Sequence, residues 1–174
     1  DLRSDTLTLP SEEMLRTVLT APLGDSGRLD GDGYGCDPTV NALEDYAASL
    51  VGKERSLLAL SGTMGNHIVL LTWCRQGDVV LMDERQHIFR TEKATCDSRF
   101  GQLKPVFYHL TDKCIPDPNE IEGLIKTKHL NLLFLKTTHN SAGGACILVH
   151  VWAELAQIQN KEEVNEHRMA PVFF

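Results

Sequence analysis

The sequence predicts an α/β fold, a mostly parallel sheet flanked by helices. Three observations carry that prediction. Short segments, 56–60, 78–83, 104–110 and 131–136, are apolar almost throughout and lack the alternation of a sheet with one wet face. Segments with helical spacing or helix-start signals alternate with them. Polar corners at 61–66 and 137–141 fall just after strands, where open α/β sheets place their ligands.

Taken in order, residues Asp1-Leu2-Arg3-Ser4-Asp5-Thr6 are polar and read as extended. Ser11 suits the N-cap of a helix through Met14, Leu15, Val18 and Leu19. Residues 24–35 form a Gly/Asp-rich loop, with little apolar content beyond Leu29 and Tyr34. Loops of that length are usually functional or mobile. Asp37-Pro38 opens a second helix, Asp as cap and Pro at the first helical position. Its stripe of Val40, Leu43, Ala47 and Leu50 is expected to face the core.

Strand 56–60 leads into Ser61-Gly62-Thr63-Met64-Gly65-Asn66, and a helix follows over 67–74, closed by Gly77. The second strand, 78–83, precedes a stretch carrying His87, Ile88 and Phe89, and the third is 104–110. Asp117-Pro118-Asn119-Glu120 starts another helix, Glu120 completing a capping box. The fourth strand, 131–136, ends in Thr137-Thr138-His139-Asn140-Ser141 and the turn Gly143-Gly144. A last helix covers 150–159, and 160–174 is a charged, weakly patterned tail.

A length of 174 residues suits about one domain. Apolar content of 42% and charged content of 24% are ordinary for a packed core and argue against disorder. A net charge of −7 disfavours nucleic acid or an anionic membrane as the main partner. No apolar run approaches the roughly 18 residues that span a bilayer. The five cysteines are scattered, with no C-x-x-C pair, so free thiols in a reduced compartment are expected. The expected location is the cytoplasm, or the mitochondrion if a leader precedes Asp1.

The corner at 61–66 would leave backbone N–H groups at the positive end of a helix dipole, with the Ser61 and Thr63 hydroxyls beside them. Such a turn suits a phosphate. On its own it reads equally as a strand-to-helix connection without a ligand, since it lacks the P-loop lysine and G-x-G-x-x-G spacing. A single histidine more often caps or packs, but His87 and His139 follow different strands of one sheet and so suggest a shared pocket. Arg3 and Ser4 either grip a carboxylate through charge-assisted hydrogen bonds or lie on a solvated strand. No His, Cys or carboxylate set has metal-ligand spacing, so no metal is expected. No cysteine sits in the electropositive setting that a nucleophile needs.

Five motifs then coincide in order: Leu2-Arg3-Ser4-Asp5-Thr6, the stretch Tyr34-Gly35 to Leu43-Glu44, the Ser61 to Asn66 corner, His87-Ile88, and Thr138-His139-Asn140 with Ala142-Gly143-Gly144. From Leu2 to about Gln159 the chain resembles the threonine aldolases, fold-type-I pyridoxal phosphate (PLP) enzymes of the aspartate aminotransferase superfamily. The resemblance implies that 1–159 is the N-terminal part of a PLP-transferase large domain, incomplete here, and that 160–174 is a divergent tail. It implies a PLP phosphate held by Ser61, Gly62 and Thr63, with His87 stacked on the pyridine ring. It places His139 near the substrate's β-hydroxyl and Ser4, supported by Arg3, on the substrate carboxylate.

The implied reaction cleaves L-threonine or L-allo-threonine to glycine and acetaldehyde, part of amino-acid catabolism. His87 or His139 is the candidate base for the β-hydroxyl proton, a role worth about 10²–10⁴ in rate. A small amino acid is the implied partner, and the full-length family members resemble homo-oligomers. The family's Asp-Gly-Ala-Arg segment and Schiff-base lysine have no counterpart in 160–174, and Lys136-Thr137 replaces its usual Glu-Asn. Little or no aldolase activity is therefore expected of this chain alone, and borohydride should trap no stoichiometric PLP adduct on its eight lysines. The alternative is a non-catalytic fragment that associates with full-length aldolase subunits.

Overall fold

The computed structural model describes residues 7–31, 33, 35–161 and 168–173, with the backbone alone for 159–161 and 168–173. In chain order the elements are α1 (Glu12–Thr20), α2 (Pro38–Leu50), α3 (Gly62–Trp73), β1 (Val79–Asp83), β2 (Lys104–Tyr108), α4 (Pro118–Thr127), β3 (Leu132–Thr137), α5 (Val149–Lys161) and β4 (Arg168–Phe173). Two units divide them: Thr8–Leu60, and the residues from Ser61 onward together with Leu7. Among the described residues no helix is long and apolar enough to cross a membrane.

In the larger unit the strands pair in parallel in the order β2-β1-β3-β4. Asp83 stands opposite Tyr108, and Leu81 opposite Leu133. Period-two alternation sends the apolar residues to both faces. Val80, Met82, Leu132 and Phe134 pack with Leu70 and Cys74 of α3. Leu81, Leu133 and Leu135 pack with Ile121 of α4 and with Val151, Leu155 and Ile158 of α5. Burying one such large side chain is worth about 1.5–3 kcal/mol. Coverage on both faces explains why β1 and β3 are apolar without alternation, and the expected α/β class is borne out.

Strand β4 lies in the stretch that carries no strand pattern in the sequence, and pairs with β3 from Arg168 to Phe173. Its Pro171 stands on an edge strand, where a missing N–H is tolerated. Strand β2 ends at Tyr108, two residues earlier than expected, and Leu110 instead forms an isolated bridge with Pro116. The capping box expected at α4 does not form. Asp117 caps Asn119 N–H at 2.9 Å, but Glu120 turns to His109, accepting its N–H at 3.0 Å and bonding Nδ1 at 2.7 Å. A carboxylate that finds two donors on one neighbour has no reason to fold back on its own cap.

In the unit Thr8–Leu60 both helix starts match the sequence. Ser11 Oγ accepts Met14 N–H at 3.3 Å, and Asp37 Oδ1 accepts the N–H groups of Thr39 and Val40 at 2.9 and 3.0 Å. The expected core stripe of α2 holds only in part: Val40 and Ala47 are half-buried, Leu43 and Leu50 are exposed, and Ala48 is the buried residue of that helix. Met14, Leu15, Val18 and Leu19 of α1 are exposed. The expected strand at 56–60 is also absent. Its backbone is taken up by α2 instead: Glu44 Oε1 accepts Leu58 N–H at 2.7 Å, and Ser56 Oγ donates to Glu44 O at 2.7 Å. Apolar composition alone does not supply the ladder partner a strand requires.

Candidate functional site

Strand β1 has β2 on one side and β3 on the other, so the connections leaving β1 and β3 run apart. The crevice between their C-terminal ends is the switch point where open α/β sheets bind ligands. Asp83 ends β1, and His139 lies two residues beyond β3. The His139 Nε2 to Asp83 Oδ2 distance is 2.7 Å across this crevice, and both side chains are buried. Burial pushes the Asp83 carboxyl up, but the His139 hydrogen bond, the Arg85 N–H and the charges of His139 and Arg85 outweigh it and hold Asp83 below the usual carboxylate value. A carboxylate only accepts, so Nε2 carries the shared proton. The other ring nitrogen, Nδ1, is buried without a hydrogen-bond partner among the described residues.

The turn after His139 fixes its backbone. His139 N–H donates to Ala145 O at 2.9 Å, while His139 O accepts the N–H groups of Ala142 and Gly144 at 3.0 Å each. Returning the chain so sharply needs φ of +71° at Gly143 and +82° at Gly144, the left-handed region that favours glycine.

Gln86 holds the segment that leaves β1. Fully buried, its Nε2 donates to the Tyr108 hydroxyl and to Phe134 O, both at 3.1 Å, so one side chain ties the segment after β1 to the end of β2 and the middle of β3. Burial, with Asp83 nearby, pushes the Tyr108 phenol far up, and it stays neutral. His87 follows Gln86 at the start of a single wide π-helical turn, Ile88–Glu92. Its Nδ1 lies 2.8 Å from Glu92 Oε1, which also accepts Asn66 Nδ2 at 2.8 Å. His87 is thereby tied to α3.

Helix α3 begins at Gly62, five residues before the expected start, so the Ser61 to Asn66 corner is its cap and first turns. Ser61 is extended (φ −158°, ψ 158°), and its Oγ accepts Met64 N–H at 3.1 Å. The N–H groups of Gly62 and Thr63 take no acceptor among the described residues. Those two N–H groups, the hydroxyls of Ser61 and Thr63 and the positive end of a 12-residue helix form a ready anion cradle.

The larger unit thus holds Ser61, Gly62, Thr63, His87 and His139. Arg3, Ser4 and Tyr34 lie outside the described residues. No cluster of three or more His, Cys, Asp or Glu able to hold a metal occurs among the described residues. Sequence reasoning passed over Asp83, Gln86 and Glu92. The available signals were a carboxylate ending an apolar strand and a second one five residues after His87.

Residues 1–168 match the family model of the beta-eliminating lyases. The chain belongs to that family. Within the beta-eliminating lyases it is 46% identical over 149 residues to a low-specificity L-threonine aldolase of Escherichia coli K12, covering 80% of this chain and 41% of that protein. Low-specificity L-threonine aldolase 1 of Arabidopsis thaliana is 31% identical over 175 residues, covering 96% of this chain and 47% of that one. An uncharacterized protein of Caenorhabditis elegans is 33% identical over 172 residues, at 96% and 40% coverage. The chain therefore spans roughly two fifths to a half of the length of these curated relatives. The resemblance to threonine aldolases carried by the five motifs is borne out.

Among solved structures, the PLP-bound C-S lyase from Staphylococcus hominis superposes with a TM-score of 0.56 at 17% identity, covering 89% of this chain and 39% of that one. At that identity the likeness establishes the fold. It agrees with the expected fold-type-I class.

Proposed function

We propose that this chain forms the coenzyme-cradling part of a PLP-dependent threonine aldolase-type lyase, which cleaves L-threonine or L-allo-threonine to glycine and acetaldehyde. The observation that carries the proposal is the anion cradle at the start of α3, linked through Glu92 to His87. Its donors, two main-chain N–H groups and two hydroxyls, suit the phosphate of PLP. When bound, PLP supplies the cationic ring that takes up electron density as the substrate's Cα–Cβ bond breaks.

The chain's own residues supply the rest. Ser61, Gly62 and Thr63 hold the phosphate, and His87 lies against the pyridine ring. His139, with its Nε2 proton on Asp83, has Nδ1 as the nitrogen left to take the β-hydroxyl proton. Ser4 and Arg3 bind the substrate carboxylate. The same proposal includes residues 1–159 as the family's N-terminal part, homo-oligomeric assembly of the longer form and a cytoplasmic location. Five free thiols support that location.

The test is a titration of the chain with PLP, competed by inorganic phosphate. Thr63→Val should weaken PLP about tenfold or more, the worth of one hydrogen bond to a charged group. Unchanged affinity, or no competition by phosphate, would count against the cradle. In a longer form carrying an Asp-Gly-Ala-Arg segment and a lysine, acetaldehyde release from each threonine isomer reads the reaction itself.

A further inference from the structure

Glu92 is the most deeply committed carboxylate of the larger unit outside the Asp83–His139 pair. Its side chain is 2% exposed. Oε1 serves two elements at once, His87 Nδ1 and Asn66 Nδ2, each at 2.8 Å, while His67 Nε2 lies 3.5 Å from Oε2. A buried carboxylate is costly unless it meets donors: Oε1 meets two, while Oε2 and His67 Nε2 have no hydrogen-bond partner among the described residues. The cluster also has a chemical consequence. A carboxylate oxygen accepts and cannot donate, so the proton between Glu92 and His87 resides on Nδ1. The lone pair of His87 is then confined to Nε2, on a ring that is 38% exposed. Asn66 stands in the second turn of α3, the helix whose first residues form the cradle.

We propose that Glu92 is a positioning residue: it locks His87 as the Nδ1–H tautomer and couples that ring to the start of α3. Ring orientation and anion cradle are thus set by one carboxylate. The tautomer is a property of the chain itself, and only the effect on coenzyme rests on the function proposed above.

Two measurements separate the two. The first is two-bond ¹H–¹⁵N spectroscopy of the histidine rings in the ¹⁵N-labelled 174-residue chain, without added ligand. The expected result is His87 protonated at Nδ1, with Nε2–H emerging in Glu92→Leu. Should Glu92→Leu not fold, Glu92→Ala decides, because it too removes the acceptor facing Nδ1 while adding no bulk. Finding Nε2–H in the unsubstituted chain, or an unchanged tautomer in the folded variant, overturns the proposal.

The second measurement is PLP affinity, with the induced circular dichroism of the bound coenzyme. In Glu92→Leu the affinity should fall about tenfold and the induced signal should shrink. Glu92→Gln should lie between that variant and the unsubstituted chain. Full affinity and signal in Glu92→Leu overturn the coupling to the cradle. A chain that binds no PLP, yet keeps a Glu92-dependent tautomer, overturns the coenzyme assignment and supports the positioning role.

Discussion

Asp83 and His139 stand 56 residues apart in the chain and 2.7 Å apart in space, joined across the crevice between the ends of β1 and β3. The pair is a crosslink of the sheet as well as a feature of the site. Substituting Asp83→Asn swaps a charged acceptor for a neutral one, and should cost about 1.5–3 kcal/mol of stability in urea unfolding at pH 7. The sign of the pH effect follows from the depressed carboxyl. Its stabilisation is fully present above the ordinary aspartate value of 3.8, and is lost as pH falls from there through the folded-state value. The stability gap between the unsubstituted protein and Asp83→Asn should therefore close on acidification below about pH 4. A gap that stays constant down to pH 2 would contradict this account.

His109 and Glu120 predict the opposite slope. The Glu120 hydrogen bond and charge raise His109 above its ordinary 6.5. That contribution is complete below pH 6.5 and fades as pH rises through the folded-state value. His109 is exposed and Glu120 half-buried, so the pair stays in reach of solvent and the effect is small and screened by salt. Melting temperatures of Glu120→Gln against the unsubstituted protein should differ more at pH 6 than at pH 8.5, and salt should shrink the difference.

Gly143→Ala isolates backbone strain at the turn behind His139. A Cβ there would meet nothing within 4 Å, so the cost comes from holding alanine at φ +71°. It should be about 1–2 kcal/mol. Denaturant titration measures it, and Gly143→Asn should cost less because asparagine tolerates the left-handed region.

The cysteines should sort by exposure. Burial, with Asp78 nearby, pushes the Cys74 thiol up to about 11, while Cys36 and Cys146 are exposed. Iodoacetamide at pH 8, read by mass spectrometry, should mark Cys36 and Cys146 before Cys74.

What the sequence made legible, and what it did not, divides along physical lines. The strands at 79–83 and 132–137 were readable because burial on both faces confines polar residues to their C-terminal ends and leaves the rest uniformly apolar. The caps Ser11, Asp37 and Asp117 were readable because capping is a local bond. The segment 56–60 misled because its apolar run says nothing of which backbone it will pair with. Asp83 and Glu92 stayed hidden for a related reason. Asp83 meets His139 56 positions away and Glu92 meets Asn66 26 positions away, and no local spacing encodes such meetings, although the Glu92–His87 contact spans five residues.

The amide of Gln86 reaches the Tyr108 hydroxyl and the Phe134 carbonyl from the segment that carries His87. Loosening any one of three strands therefore releases that segment too. Amide hydrogens from 86 to 92 should exchange with solvent as slowly as those of β3, in a single cooperative opening. Heat and denaturant would then dismantle the histidine platform and the sheet's interior together.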